Sequence, residues 1–225
     1  MIHKIFSKKP EIFTILRGPF RGSRVFLNPA NSKRMLFGLY ERQLNGWLSK
    51  NAPGKDFAFD VGAQAGYDTY GLAHLISGGN KKKIDIISFE PEADLYSELT
   101  TPQEWPCYSN CAIEIVPKFV SDRDSENSVT LDATFDRLDH LRGKAGLIKI
   151  DVEGAEDAVL RGSRNLLEDP AHDWLVEIHT KEKIPEITQF FSNLNRPFLV
   201  LGEASLPIIG KDLRPIDTYW LATIR

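Results

Sequence analysis

Apolar residues in this chain gather in short runs that end in a charge, a glycine or a proline. Between the runs the apolar spacing stretches to that of a helix face. Phe57 and Phe59 alternate around Ala58 and end in Asp60, which reads as a buried strand. The following Tyr70, Leu72, Leu75 and Ile76 suit a helix. KIDIISFEP is a second strand, with a helix over 95–99 limited by Pro102. IEIVPKFVS is a third strand, whose Pro117 implies an edge position or a bulge. LDATFDRLDHLRG reads as a helix, GLIKIDVEG as a fourth strand and AEDAVLRGSRNLLED as the helix after it. WLVEIH is a fifth strand and 184–194 a further helix. PFLVLGE and TYWLATI close the chain as strands, joined by a loop with Pro207, Gly210 and Pro215. Such alternation predicts an α/β fold, a mostly parallel sheet with helices on both faces. The two last strands have no helix between them and should pair antiparallel at or near an edge.

The first fifty residues break this rhythm. Residues 11–28 hold two β-favouring runs around GPFRG, the pattern of a hairpin. After a break at 29–31, Ser32 is placed to cap a helix to about Ser49, with Leu36, Leu39, Tyr40, Leu44, Trp47 and Leu48 on one face. We therefore expect an arm over 1–50 and one domain over 51–225, joined by NAPGKD. The arm runs straight into the first buried strand, so it can serve as a lid, with Gly38, Tyr40 and Glu41 as candidates for ligand contact.

Composition adds mainly exclusions. Lys+Arg 28 against Asp+Glu 31 gives a net charge of -3, without a basic bias toward nucleic acid or anionic membrane. Cys107 and Cys111 are too few for a disulfide framework or a zinc site and read as free thiols in a reducing compartment. The N-terminus lacks the apolar core of a signal peptide, and no apolar run is long enough to span a bilayer, so a cytoplasmic protein is expected.

Chemistry concentrates where predicted strands end, the place at which open α/β sheets bind ligands. Asp60-Val-Gly62-Ala-Gln-Ala-Gly66 joins a strand to a helix N-terminus, a turn in which missing side chains would let a ligand approach the backbone. Asp60 suits a ligand carrying a cation. Glu90, in Phe89-Glu90-Pro91, puts a carboxylate where both hydroxyls of a ribose could be accepted. Lys149 and Asp151 are two apart in an otherwise apolar strand and so share a side, a costly arrangement unless it is used.

DVGAQAGYDTY, the FEP triplet, TLDATFDRLD, LIKIDVEGAEDAVLRGSRNLL and LVEIH resemble, in order, the pattern of FkbM-type methyltransferases, over roughly residues 57–180. That resemblance implies the class I, Rossmann-like fold, with a seven-stranded sheet ending in an antiparallel hairpin. It also implies an S-adenosylmethionine cofactor across the first two strand ends. Asp60, Gly62, Ala63, Gln64 and Gly66 would lie near its methionine half, Glu90 and Pro91 at its ribose, and Asp151 beside it. Gln64 departs from the Asn usual in the family. The implied reaction is O-methylation of a small molecule or a sugar.

A hydroxyl acceptor must lose a proton during transfer. The candidates at the fourth and fifth strand ends are Asp151, Glu153, Glu177 and His179, with Glu177 and His179 on one strand face. His179 is read as the base, supported by Asp151 and Glu177. Asp151, Glu177 and His179 also suit a divalent metal, ranked below a metal-free base. His3, His74, His140 and His172 read as surface or helix residues, and 105–111 as a wall for the substrate. Two alternatives stay open: a nicotinamide-dependent oxidoreductase, although G-x-G-x-x-G is lacking between Gly62 and Gly66, and a non-catalytic nucleoside-binding protein.

Overall fold

The computed structural model describes residues 9–28, 33–202 and 218–224. Ser32 with the 29–31 break, His3, and the loop containing Pro207, Gly210 and Pro215 lie outside them. Strands β1 (Glu11–Thr14) and β2 (Arg24–Leu27) form the antiparallel hairpin expected in the arm. Two short helices follow, α1 (Lys33–Leu36) and α2 (Asn45–Asn51), with a 3-10 turn at Arg42–Leu44 between them. Then come β3 (Phe57–Val61), α3 (Tyr67–Ile76), β4 (Ile84–Phe89), α4 (Ala93–Thr100) and β5 (Cys111–Val116). The short β6 (Phe119–Val120) and β7 (Ser128–Val129) pair with each other ahead of α5 (Leu131–Asp136). The chain continues through β8 (Gly146–Ile150), α6 (Glu156–Arg161), α7 (Arg164–Glu168), β9 (Asp173–Ile178), α8 (Ile184–Asn193), β10 (Phe198–Gly202) and β11 (Tyr219–Thr223).

The seven-stranded sheet has the order β10-β11-β9-β8-β3-β4-β5. Strands β3, β4, β5, β8 and β9 run parallel, and β10 and β11 pair antiparallel, β10 at the edge. The opposite edge is β5, where Pro117 ends the ladder without interrupting a central strand. Two apolar layers clothe the sheet. On one face the arm contributes Phe13, Ile15, Val25, Leu44 and Trp47 beside Tyr70 and Leu72 of α3. On the other, Phe57, Phe59, Ile148 and Ile150 meet Leu131, Val159, Leu167 and Phe191 from α5 to α8. Trp47 Nε1 also donates to the Thr223 carbonyl at 2.7 Å, fastening the arm to β11.

Three predicted helices are interrupted, and distant contacts explain two of the breaks. The helix expected to about Ser49 stops at Leu36 because Gly38 lies against the hairpin. It has φ +63, and a Cβ there would stand 2.5 Å from the Arg17 carbonyl oxygen. The helix expected after the fourth strand splits at Gly162, where a Cβ would meet the Ser121 carbonyl oxygen at 2.0 Å. The split also frees an N-terminus for capping, since Asp132 accepts from Asn165 N at 2.9 Å and Leu166 N at 3.1 Å. The predicted helix over 131–143 ends at Asp136 and resumes as a 3-10 turn at Asp139–Leu141.

His172 is neither a surface nor a helix residue. It is buried against Phe57 and Phe135, and its Nδ1 accepts from Gly146 N at 3.1 Å. Burial pushes its pKa down from 6.5 to about 4. The unfolded chain then takes up this proton before the folded one does. Stability from this group is complete above pH 6.5 and is lost as the pH falls to about 4, by about 3 kcal/mol in total. Denaturant midpoints measured across that window should fall more steeply for the wild type than for His172→Gln. Equal slopes would remove His172 from the acid response.

Candidate functional site

Strand order reverses between β3 and β8, and in an open α/β sheet ligands bind in the crevice beyond the strand ends at that point. Register aligns the ends. Val61 lies opposite Phe89 and Ile150, and Ile150 opposite Val176. The next residue of each strand, namely Gly62, Glu90, Asp151 and Glu177, therefore stands on a common rim. Two clefts open there. The larger, about 480 Å³, is lined by Gln64, Glu90, Pro91, Phe119 and Glu153 among others. The smaller, about 290 Å³, is lined by Met35, Tyr40, Ala63, Tyr67, Asp68 and Lys149 among others. Gly62, Gln64, Leu95 and Asp151 line both.

The glycines of the first turn do not serve as expected. Gly62 has φ +81, and a Cβ on it would stand 1.9 Å from the Asp151 carbonyl oxygen. Gly66 has φ +88, lines neither cleft, and faces Leu99 and Tyr70, each 3.0 Å from an added Cβ. At both glycines protein atoms take the place of a Cβ, although Gly62 still lines both clefts. The ligand-facing part of the turn is Ala63 with Gln64, whose φ of 47 places it in the left-handed region. Glu90 holds that conformation: Gln64 N donates to Oε2 at 2.8 Å, and Glu92 N donates to Oε1 at 2.8 Å. Burial raises the Glu90 carboxyl pKa, and the two backbone donors oppose this. Each oxygen keeps a lone pair to accept a ligand hydroxyl.

Asp60 lines neither cleft and is fully buried. Its Oδ2 accepts from Thr69 Oγ1 at 2.6 Å, and its Oδ1 lies 3.3 Å from Lys149 Nζ. It braces Lys149 beneath the clefts. Lys149 also reaches Asp68 at 3.2 Å and Asp151 Oδ2 at 3.3 Å, so the pair predicted to share a strand face is part of a larger buried network. Burial pulls the Lys149 ammonium down, but Asp60, Asp151 and Asp68 together hold it well above its ordinary value. Burial pushes the Asp68 carboxyl up to about 6 against the pull of Lys149.

Asp151, Glu177 and His179 come together at the ends of β8 and β9. His179 Nε2 is 3.7 Å from Asp151 Oδ1 and 3.8 Å from Glu177 Oε2. Burial, and then the Asp151 carboxylate beside it, push Glu177 up to about 11. Burial works against ionised Asp151 too, but Lys149, a hydrogen bond from Glu177 and then His179 hold it below its ordinary value. The His179 pKa is raised, chiefly because Nδ1 lies 2.6 Å from Glu156 Oε1. His179 itself lines neither large cleft; Asp151 connects it to both.

Glu156, Lys183 and Asp68 were absent from the sequence-based site. Glu156 is completely buried, and its Oε2 lies 3.2 Å from Lys183 Nζ. Acids in a helix's first turn are common, and only the repeated spacing in KIDVEGAE hinted at this one. The arm reaches the site: Tyr40 lines the smaller cleft, and Glu41 lines a narrow crevice with Glu177. Gly38 lines none of these spaces and packs on the hairpin instead. The expected substrate wall at 105–111 is elsewhere. Trp105 stacks under the Arg24 guanidinium, and Tyr108 bonds the Arg24 backbone, so this segment secures the hairpin.

Residues 108–198 match the family model described as Methyltransferase FkbM domain. This segment, less than half of the chain, resembles an FkbM methyltransferase domain. An FkbM methyltransferase from Methylobacillus flagellatus KT is structurally similar, with a TM-score of 0.55 at 15% identity. The similarity covers 76% of this chain but only 44% of that one, so this chain spans less than half the length of that protein. M. jannaschii TYW2, solved in complex with AdoMet, has a TM-score of 0.53 at 12% identity, over 96% of this chain and 86% of that one. A precorrin-6y C5,15-methyltransferase from Geobacter metallireducens GS-15 has a TM-score of 0.51 at 11% identity, over 77% and 81%. These likenesses show a Rossmann-like methyltransferase fold. No curated protein matches the chain in sequence. Among the described residues, no helix is long and apolar enough to cross a membrane.

Proposed function

We propose that this chain moves a methyl group from S-adenosylmethionine to a hydroxyl of a small molecule or sugar. The observation that carries the reading is the meeting of the two clefts at Asp151. The larger has Glu90 for the ribose, and the rim beyond Asp151 carries Glu177 and His179. Ala63, Gln64 and Pro91 line the cofactor's path, while Met35 and Tyr40 from the arm shape the acceptor end.

During transfer the acceptor oxygen bonds to the methyl carbon as the carbon–sulfur bond breaks and its electron pair returns to sulfur. The sulfonium becomes a neutral thioether, and the acceptor gives up its proton. Positioning supplies much of the acceleration, because oxygen, carbon and sulfur must align. Asp151, Glu177 and His179 are the groups near this junction able to assist the proton's departure. A small polar acceptor also suits the surroundings. Asp68, Glu92, Glu98 and Glu153 line the clefts, a negative setting that works against a phosphate backbone. Protein incubated with methyl-labelled S-adenosylmethionine and panels of sugars, polyols and phenols should yield label on a hydroxyl oxygen. Label found only on RNA would overturn this choice of acceptor.

A further inference from the structure

The trio has a second property. Asp151 Oδ1, Glu177 Oε2 and His179 Nε2 offer one lone-pair atom each, and the three residues present donor atoms all within 4.8 Å of one another. A bound cation with metal–ligand distances of about 2.0–2.2 Å would space adjacent donors by roughly 3–3.5 Å. The observed 3.7 and 3.8 Å need to close by only a few tenths of an ångström.

What surrounds the three donors makes them a prepared set. Asp151 turns Oδ2 toward Lys149, which leaves Oδ1 for the cluster. His179 turns Nδ1 to Glu156, which leaves Nε2 for the cluster. Glu156 is itself held by Gly154 N at 3.1 Å and Lys183 Nζ at 3.2 Å. A carboxylate on the far nitrogen of a ligating histidine is the usual support of a metal site, since it fixes both tautomer and ring orientation. Glu177 is only 6% exposed and faces the Asp151 carboxyl, to which it hydrogen-bonds, and His179 Nε2 at 3.8 Å, so two carboxyls and an imidazole share one small space. Two carboxylates and a neutral imidazole would balance a doubly charged ion.

We propose that Asp151, Glu177 and His179 bind a divalent cation of the Mn²⁺ kind, which holds the acceptor hydroxyl. Oxygen donors with one imidazole and no thiolate suit that class of ion. The proposal rests on the methyl-transfer reading above and deepens it. The hydroxyl, bound to the cation, loses its proton to solvent water more readily, and its oxygen then attacks the methyl carbon. His179 is then a ligand of the cation, with Glu156 as its positioning residue.

Chelator-treated full-length protein should be titrated with MnCl₂ by calorimetry, without cofactor, and in parallel with S-adenosylhomocysteine. The wild type should bind one Mn²⁺ per chain. Glu177→Gln, which keeps the side chain's shape, should lower that affinity by more than about tenfold, and Glu156→Gln by about 10–100-fold. Both variants should retain the wild-type affinity for S-adenosylhomocysteine, which reports that the fold is intact. A wild type that takes up no Mn²⁺ overturns the proposal whether or not the nucleoside binds. Unchanged Mn²⁺ affinity in Glu177→Gln, with nucleoside binding retained, overturns it equally. Mn²⁺ binding without any nucleoside binding would instead uphold the cation site and remove the methyl-transfer reading.

Discussion

His179→Ala should lower methyl-transfer turnover by about 10²–10⁴-fold, the range expected when a group that manages the acceptor's proton is lost. Affinity for S-adenosylhomocysteine should stay at the wild-type level, because Glu90, Gln64 and Pro91 lie along the larger cleft and His179 does not line it. The effect is expected both for direct proton transfer to Nε2 and for coordination of a cation. In each case Asp151 Oδ1, 3.7 Å away, loses its imidazole partner. The fold should persist, since Glu156 keeps Lys183 and Gly154 N as partners after the imidazole is gone. Steady-state turnover and calorimetry on one preparation separate the outcomes. Near-wild-type turnover would reduce His179 to a structural partner of Glu156.

The sheet was legible because its central strands are buried on both faces. FAFDV and GLIKI show near-continuous apolar character, the first broken by the buried Asp60 and Lys149 alone breaking the second before Asp151 at the rim. The closing hairpin was legible from the missing helix between β10 and β11. Helix ends were not, because local spacing says nothing about the Arg17 carbonyl that meets Gly38 or the Ser121 carbonyl that meets Gly162. Strand-end acids could be read as a site since a charge at the end of an apolar run has few other uses. Asp151, Glu177 and His179 do converge, as their positions on neighbouring strands implied.

The failures share a cause. Gly62 lines both clefts, but a Cβ on it would meet the Asp151 carbonyl oxygen, and Gly66 is packed by Tyr70 and Leu99, neither of which the local sequence announces. Asp60 looked like a ligand contact but pairs with Thr69 and Lys149 below the surface. His172 lay in a polar turn that gave no hint of the aromatic pocket formed by Phe57 and Phe135. Each depends on which distant residue arrives, which no local pattern encodes.

We propose that the larger cleft holds the methyl donor by its ribose at Glu90. Calorimetric titration with S-adenosylhomocysteine, set against NAD, tests it most directly. The wild type should bind one S-adenosylhomocysteine per chain and no NAD. Glu90→Ala removes hydrogen bonds to a charged acceptor, worth roughly 1.5–3 kcal/mol, and so should weaken binding by about 10–100-fold. Part of that loss will come from the turn itself, because Glu90 also holds Gln64 N and Glu92 N. Binding of NAD in place of S-adenosylhomocysteine, or an unchanged dissociation constant in Glu90→Ala, would contradict the account.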